Sequence, residues 1–381
     1  MARKSKVMLI SCLHPWDDTR ILFREALTLS NHYDVEVHAL ADFSARDYEG
    51  VKIVGLRAKP RWARPIQWFI LGWRAWRCSA QVVHFHDPEL LLVGLVLRLL
   101  GRQVVYDVHE DVYKDIMYKT WIPAPLRPLV AGVYFMFQKL GDHQMSAIVT
   151  ATHTIARRFH NRQLVVVRNY PPLEVFSKYG MQFSDTKLKL PVRLIYVGTL
   201  SRSRGILEVI RALHYLPEAF VYRLDVVGSF AEEREFKKQV LETVSPVSEN
   251  VTFHGRLELP NVVQLMSKSH VGLVCTLPSM NDLAGIPLKL FEYMAAGLGV
   301  VISDFPLWHT YTENYPPHEF VDSTDPKDIA RGIVELVDRW PLYETIWEKA
   351  RCDTLYRYNW QGEGLRLTNL YNSLIQQRML L

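Results

Sequence analysis

The stretch AGIPLKLFEYMAAG, residues 284–297, places one acidic residue, Glu292, among apolar neighbours. Gly285 and Pro287 make a turn ahead of it, and LKLFEYMAAG reads as a helix that ends at Gly297. The first turn of such a helix offers unpaired backbone N–H groups and the positive end of the helix dipole, which together suit a phosphate. Glu292, further along, can accept hydrogen bonds from two adjacent hydroxyls of the kind a ribose presents. The same residues also read as a helix packed on its sheet with a partly exposed Glu, and the spacing alone leaves both readings open.

Other site chemistries find little support. No G-x-G-x-x-G follows the first apolar run, no G-x-x-x-x-G-K-[ST] is present, and Gly362-Glu363-Gly364 stands in the wrong context for either. A nicotinamide dehydrogenase or a P-loop enzyme is therefore a poor reading. There is no D-x-D, and the His and Asp residues show no metal-binding spacing, so no metal and no cofactor is expected. The four cysteines, Cys12, Cys78, Cys275 and Cys352, form no C-x-x-C, which argues against a zinc site or a disulfide framework and suits a reducing compartment.

The elements that would hold a site follow from the apolar pattern. At 381 residues, 49% hydrophobic and 22% charged, the chain can form two domains of ordinary size. Apolar β-rich runs fall at 6–11, 34–40, 51–56, 81–86, 103–109, 147–152 and 164–169, with helix-length segments such as TRILFREALTLSNH between several of them. That alternation predicts parallel βαβ units and a doubly wound sheet. The Pro-, Ser- and charge-rich residues 173–191 read as a linker. The alternation then restarts at 192–198, 222–228, 250–255, 270–276, 299–304 and 319–322. Expected, then, are a domain over 1–172, a second over 192–357, and a cleft between the two sheets where nucleotides bind at strand carboxyl ends. Residues 358–381, with apolar Leu365, Leu367, Leu370, Tyr371 and Leu374, are expected as a helix returning to the first domain.

Charge is unevenly shared. Residues 1–176 carry 23 Lys and Arg against 16 Asp and Glu, while the rest carries 22 against 24. An excess confined to one half points to an anionic partner for that half, and no motif or sufficient basic patch favours nucleic acid. Within it, RAKPRWARPIQWFILGWRAWRCSA, residues 57–80, holds six basic residues, no acidic ones and four of the ten tryptophans. Ile66, Phe69, Ile70, Trp73 and Trp76 recur at helical spacing beside Arg74 and Arg77, the pattern of an amphipathic helix on an anionic membrane surface. The alternative is an ordinary interior face with its basic residues exposed. A second apolar, basic-flanked stretch, 121–140, contains Pro and Arg and reads as peripheral or buried. No run is long and apolar enough to span a bilayer. The N-terminus reads as a first strand and not as a signal peptide. A cytoplasmic protein, peripheral at the inner face of the cell membrane, is the expectation.

GIPLKLFEYMAAGLGVVISD resembles the donor-binding signature of glycosyltransferase family 4, retaining enzymes of the GT-B fold. HPWDDTRILFREALTLS, VVHFHDPELLLVG, VVYDVHED, LIYVGTLSRSRGILEVIRAL and YNWQGEG resemble further blocks of that family in the same order, so the likeness covers nearly the whole chain. It implies an α/β chain of GT-B type, two Rossmann-like doubly wound domains facing a central cleft. It further implies a hexosyltransferase-type enzyme with a nucleotide-diphosphate sugar as co-substrate. The acceptor would be lipid-linked or a saccharide, in surface polysaccharide or glycan biosynthesis, with anomeric configuration retained and no metal required.

By that resemblance Glu292 matches the second Glu of the family's E-x7-E signature, which holds the donor ribose. The first Glu falls on Ala284, a departure that Asn281 or Asp282 would have to make good. The backbone from Gly285 through Ile286 to Leu288 would face the phosphates, Pro287 lacking an N–H, and Lys289 belongs to the same donor segment. Arg204 matches the basic residue that neutralises the diphosphate leaving group. Thr199, after Gly198, stands where many relatives carry a second basic residue, and Arg202 would compensate; a solvated loop is the plainer reading of SRSR. Arg256 matches the turn lining the base pocket. His109 matches the histidine that contacts the donor sugar near the reacting centre, although a His ending a buried strand can equally be structural. His86 and Asp87 end another strand toward the acceptor or cap the next helix. Asp17 and Asp18 lie in the acceptor loop or serve a helix N-terminus. An inverting GT-B transferase, a sugar-nucleotide epimerase and a non-catalytic scaffold of the same fold remain alternatives.

Overall fold

The computed structural model describes residues 4–109, 112–118, 122–179, 188–231, 234–278, 287–344 and 346–379. By internal contacts the chain divides into a unit of residues 1–169 plus 360–381 and a unit of residues 170–359.

In the first unit the chain runs through β1 (Lys6–Pro15), a π-helical segment Ile21–Ala26 that continues as α1 (Leu27–Ser30), β2 (Asp34–Leu40), β3 (Ala45–Tyr48), β4 (Val51–Leu56), α2 (Arg64–Arg77), β5 (Val82–Phe85), α3 (Leu91–Leu99) and β6 (Gln103–Val108). It continues as α4 (Val112–Tyr118), α5 (Arg127–Gln144), β7 (Ala147–Thr150), α6 (His153–Ala156) and β8 (Leu164–Val166). The eight strands form one sheet in the order β3-β4-β2-β1-β5-β6-β7-β8. All neighbours are parallel except β3 and β4. Strands β1, β5 and β6 are buried on both faces, which is why they read as continuous apolar runs. Strand β3 was not expected from the sequence. ARDY is largely exposed and pairs only at the sheet edge, so burial left no pattern on it.

The second unit opens with α7 (Leu173–Tyr179), a helix where a linker was expected, followed by β9 (Val192–Val197), α8 (Ile206–Ala212), β10 (Tyr222–Val227), α9 (Arg234–Val244), β11 (Val251–Gly255), α10 (Leu259–Met266) and β12 (Val271–Val274). Then come α11 (Leu288–Ala296), β13 (Gly299–Ser303), α12 (Pro306–Thr312), β14 (His318–Val321), α13 (Pro326–Asp338), α14 (Trp340–Tyr343) and α15 (Trp347–Arg357). Its six parallel strands are ordered β11-β10-β9-β12-β13-β14. In both sheets the strand order reverses beside the first strand, between β1 and β5 and between β9 and β12, the places where open α/β sheets gather ligands at their carboxyl ends.

The chain then returns to the first unit as α16 (Trp360–Met379). Trp360 Nε1 donates to Thr28 Oγ1 at 2.7 Å and Tyr33 Oη donates to Asn372 Oδ1 at 2.5 Å. Leu367, Leu370, Tyr371 and Leu374 are buried, whereas Leu365, grouped with them in the sequence, faces solvent.

Candidate active site

Two sets of functional side chains stand at the strand ends, one in each unit. In the first, His84 and His86 share one face of β5 and its extension, and Asp107 and His109 share one face of β6, because alternate residues of a strand point the same way. The parallel pairing of Phe85 with Tyr106 brings these faces together. His86 Nδ1 lies 3.2 Å from His109 Nε2 and 3.6 Å from Asp107 Oδ2, and His109 Nε2 lies 3.3 Å from that same oxygen. The π-helical segment contributes next. Glu25 N–H bonds back to the Arg20 carbonyl, a five-residue step, and all six residues of Ile21–Ala26 are buried. Arg20 donates through Nε and Nη2 to Asp107 at 2.8 and 3.0 Å, and through Nη1 to the Val167 carbonyl and to Asn169 Oδ1. Its Nε also stands 2.8 Å from Glu25 Oε1.

This interior is charged only where a partner balances the charge. Burial works to raise the Asp107 carboxyl, but the Arg20 guanidinium and then His109 outweigh it and hold that carboxyl well below the usual range. Burial, with Asp107 beside it, pushes Glu25 well above its ordinary value. Burial also lowers His86 well below the ordinary imidazole value and His84 to about 4, leaving both rings neutral. Tyr371 of α16 lies 2.8 Å from His84 Nδ1 and ties the returning helix to the cluster.

Glu25, His84, His86 and Asp107 offer donor atoms within 4.8 Å of one another, close enough to suggest a metal site that the spacing of these residues in the chain did not. The geometry does not suit one. The two imidazoles stack, with centroids 4.6 Å apart and planes 23° apart, so their in-plane lone pairs run nearly parallel and do not converge on one ion. Arg20, moreover, already supplies the cation beside Asp107.

Of the acceptor-side residues, Asp87 is fully buried. Its Oδ2 accepts from Ser11 Oγ and from the N–H groups of Cys12 and Leu13, so it fixes the end of β1. Asp18 caps the helix start by accepting from the N–H groups of Arg20 and Ile21. His14 joins them, with Nδ1 3.3 Å from Asp18 Oδ2, Nε2 3.5 Å from Asp87 Oδ1, and its ring centroid 5.9 Å from that of His109. Asp17 is half-buried beside them. Thus His86 and Asp87 sit behind the surface, while His14 and His109 are the partly exposed members. Sequence reasoning named His86, Asp87 and His109 and passed over His14, Arg20, Glu25, His84 and Asp107.

In the second unit, residues 198–205 form the turn between β9 and α8. Tyr196 Oη reaches the carbonyls of Thr199 and Arg204 at 3.2 and 3.1 Å, and Leu277 N–H donates to the Ser203 carbonyl. Gly205 has φ +69°, and a side chain there would meet the Cys275 carbonyl oxygen at 1.8 Å. Gly205→Ala is accordingly expected to cost at least about 2 kcal/mol, read as a lowered melting temperature; an unchanged melt would contradict this close approach. The turn holds Thr199, Arg202 and Arg204 exposed, with Arg202 stacked over the Phe236 ring at 4.7 Å. Arg256 is exposed just past β11.

Helix α11 is anchored at both ends. Val197 N–H donates to Tyr293 Oη at 2.8 Å, one residue before the Gly198 turn, and Gly272 leaves room for that ring. At the other end Trp347 Nε1 and Arg351 Nε bond the carbonyls of Gly297 and Ala295. Glu292 is therefore held on a rigid element near the carboxyl end of β9. It is buried, and its Oε2 accepts from the half-exposed Lys289 Nζ at 2.5 Å. Pro287 precedes the helix and Leu288 begins it, exposed. Asn281, Asp282, Ala284, Gly285 and Ile286 lie outside the described residues.

Residues 182–353 match the family model described as Glycosyl transferases group 1. Two uncharacterized glycosyltransferases of Methanocaldococcus jannaschii are similar in sequence. One is 25% identical over 178 residues, 47% of this chain and 44% of the relative; the other is 19% identical over 190 residues, 50% and 47%. The chain thus matches less than half the length of these curated relatives. Among solved structures, sucrose-phosphate synthase from Thermosynechococcus elongatus superposes with a TM-score of 0.74 at 16% identity over 98% of this chain and all of that one. Anabaena HepE, solved with UDP and glucose, superposes with a TM-score of 0.70 at 14% identity over 97% of this chain and all of that one. These likenesses show the fold, two Rossmann-like domains of the GT-B type.

Proposed function

We propose that the protein is a retaining, metal-independent glycosyltransferase that moves a hexosyl group from a nucleotide-diphosphate sugar to a lipid-linked or saccharide acceptor in surface-glycan assembly. One observation carries the reading: the helix bearing Glu292 and the turn bearing Arg202 and Arg204 are both tied to the end of β9, the helix by Tyr293 Oη on Val197 N–H and the turn by Tyr196 Oη on its carbonyls. On this reading the Glu292 carboxylate suits ribose hydroxyls and the two guanidiniums suit a diphosphate. The group 1 match over the same unit supports it, and HepE solved with UDP-glucose supports a nucleotide-sugar donor.

In this reading Glu292 grips the ribose, with Lys289 giving up part of its contact as the hydroxyls arrive. Arg204, aided by Arg202, stabilises the diphosphate as the bond to the anomeric carbon breaks. Charge on the leaving group grows along that coordinate, so a fixed guanidinium favours the transition state over the ground state. Gly198, Thr199 and the backbone at Leu288 complete the donor contacts among the described residues, and Arg256 lines the base pocket. His109 meets the donor sugar, held by Asp107 and His86, while Asp17, Asp18 and His14 face the acceptor. Among the described residues no candidate nucleophile stands out, which agrees with front-face transfer without a covalent intermediate.

The test is thermal shift against UDP-, GDP-, ADP- and dTDP-sugars, with Arg204→Ala in parallel. A ligand binding only the folded state at about 100 times its Kd adds about 2.7 kcal/mol of stability. The expected result is a shift with one base class that Arg204→Ala reduces without abolishing, because most of the guanidinium's contribution comes as the bond breaks. Equal shifts in both proteins would remove Arg204 from the diphosphate site, and no shift with any donor would favour a non-catalytic GT-B protein.

A further inference from the structure

Three helices of the first unit lie side by side, α2 against α3 and α3 against α5. Their inner faces are spent on the sheet: Leu71, Ala75, Leu91, Leu95 and Leu97 belong to its core. Each helix also turns an apolar row outward. On α2 the row is Ile66, Phe69, Trp73 and Trp76; on α3 it is Leu92, Val96 and Leu99; on α5 it is Leu129, Val133, Met136 and Leu140. Every step is three or four residues, so each row is one helical face, and no member is less than 44% exposed. Helices apolar on both faces are unusual at a water-facing surface, and three adjacent rows far exceed the scattered apolar residues of an ordinary one.

The charge of this face is equally one-sided. Residues 61–77, 91–102 and 124–144 contain eight Lys and Arg and one acidic residue, Asp142, which is buried and accepts the His160 N–H. Arg98, Arg102 and Arg127 hydrogen-bond to backbone carbonyls, whose neutrality leaves the guanidinium charge uncancelled. Arg64 meets a carboxylate, Glu89, at 2.6 Å. A second copy docking through the same face would set these cations against one another. A broad, anionic surface with an apolar interior matches both features.

We infer that the α2–α3–α5 face docks on an anionic lipid bilayer, its aromatic and aliphatic rows at the boundary of acyl chains and head groups and its basic residues among the phosphates. The sequence pointed to 57–80 with support from 121–140; the structure joins these through α3 into one continuous face. No helix of the described residues is long and apolar enough to cross a membrane, so contact is peripheral. The inference concerns the first unit alone and does not rest on the transfer reaction.

The test is flotation of the full chain with vesicles of phosphatidylcholine alone or with phosphatidylglycerol added, at low and high salt. Wild type should float with the anionic vesicles and much less with the neutral ones. Phe69→Ser with Trp73→Ser should weaken binding at least about tenfold, and so, independently, should Leu129→Ser with Met136→Ser. Arg77→Gln should cost on the order of fivefold at low salt and less at high salt. All these side chains are solvent-facing, so unchanged melting curves confirm folded variants. Failure of wild type to float with anionic vesicles overturns the inference, as does an α5 pair that binds like wild type. Wild-type dimers that both serine pairs convert to monomers, without vesicle binding, would assign the face to a second copy.

Discussion

Arg204→Ala is expected to lower kcat by about 10²–10³-fold, the scale on which removal of one fixed donor to a developing oxyanion is felt. The side chain is exposed on a turn whose shape depends on Tyr196 and Gly205, so its loss should leave the melting temperature in place. The donor KM should change less than kcat, because the guanidinium gains most from charge that appears as the bond breaks. Glu292→Ala should do the opposite. A ribose is held equally before and during bond cleavage, so loss of a charged acceptor should raise the donor KM by about 10- to 100-fold with a smaller effect on kcat. Glu292 is buried against Lys289, so its variant must be checked by melting, and Glu292→Gln is the gentler replacement. Steady-state kinetics on both singles and the double variant would decide the matter. A double variant turning over at the wild-type rate would dispose of the proposed donor site.

The strand framework was legible because central strands such as β1, β5 and β6, buried on both faces, must be apolar throughout, and thirteen β-rich runs mark the sheets. The residues that escaped notice did so for specific physical reasons. Edge strand β3 has no buried face to write a pattern. Arg20 and Glu25 are brought inward together by a five-residue π-helical step, which a 3.6-residue period does not anticipate. Tyr371 completes the His84 environment from 287 positions away in the chain. A signal for the buried cluster was nevertheless present. VVHFH and VVYDVH each carry polar residues two apart within apolar strands, which places His84 with His86, and Asp107 with His109, on common faces. Spacing alone identified the ends of those faces and not the charges behind them. The Glu292 helix was more accessible to sequence reasoning, because its cap at Gly297 and its lone carboxylate are both local. Its contact with Lys289 is local too, one helical turn back, but competes with the role the carboxylate was assigned.

Arg20→Met should cost about 3–5 kcal/mol, because it leaves the Asp107 charge buried without its cation. Against typical totals of about 5–15 kcal/mol, that loss is large enough to show in any denaturation experiment. Asp107→Asn should cost less, because Arg20 would retain Asn169, the Val167 carbonyl and Glu25, whose Oε1 lies 2.8 Å from its Nε. The two belong to one network, so Arg20→Met with Asp107→Leu should be at least about 1 kcal/mol more stable than the sum of the singles implies. Simple additivity would mean that the pair is not coupled. The same cluster gives stability a defined pH dependence. His84 falls on folding from an ordinary 6.5 to about 4, so between those values the unfolded chain binds the extra proton. Its stabilisation is complete above about pH 6.5 and is lost on acidification toward pH 4, by up to about 3 kcal/mol; His86 acts in the same sense. Glu25 acts in the opposite sense. Its pKa rises on folding, so its contribution is present below the ordinary carboxylate value and fades as pH climbs toward its raised one. Acid denaturation followed by circular dichroism should therefore show wild type weakening below about pH 6.5. Glu25→Gln should remove the opposing contribution and make the acid-side loss steeper. A Glu25→Gln profile parallel to wild type would mean that Glu25 is ionised in the folded protein, and that Arg20 is balanced by two carboxylates, not one.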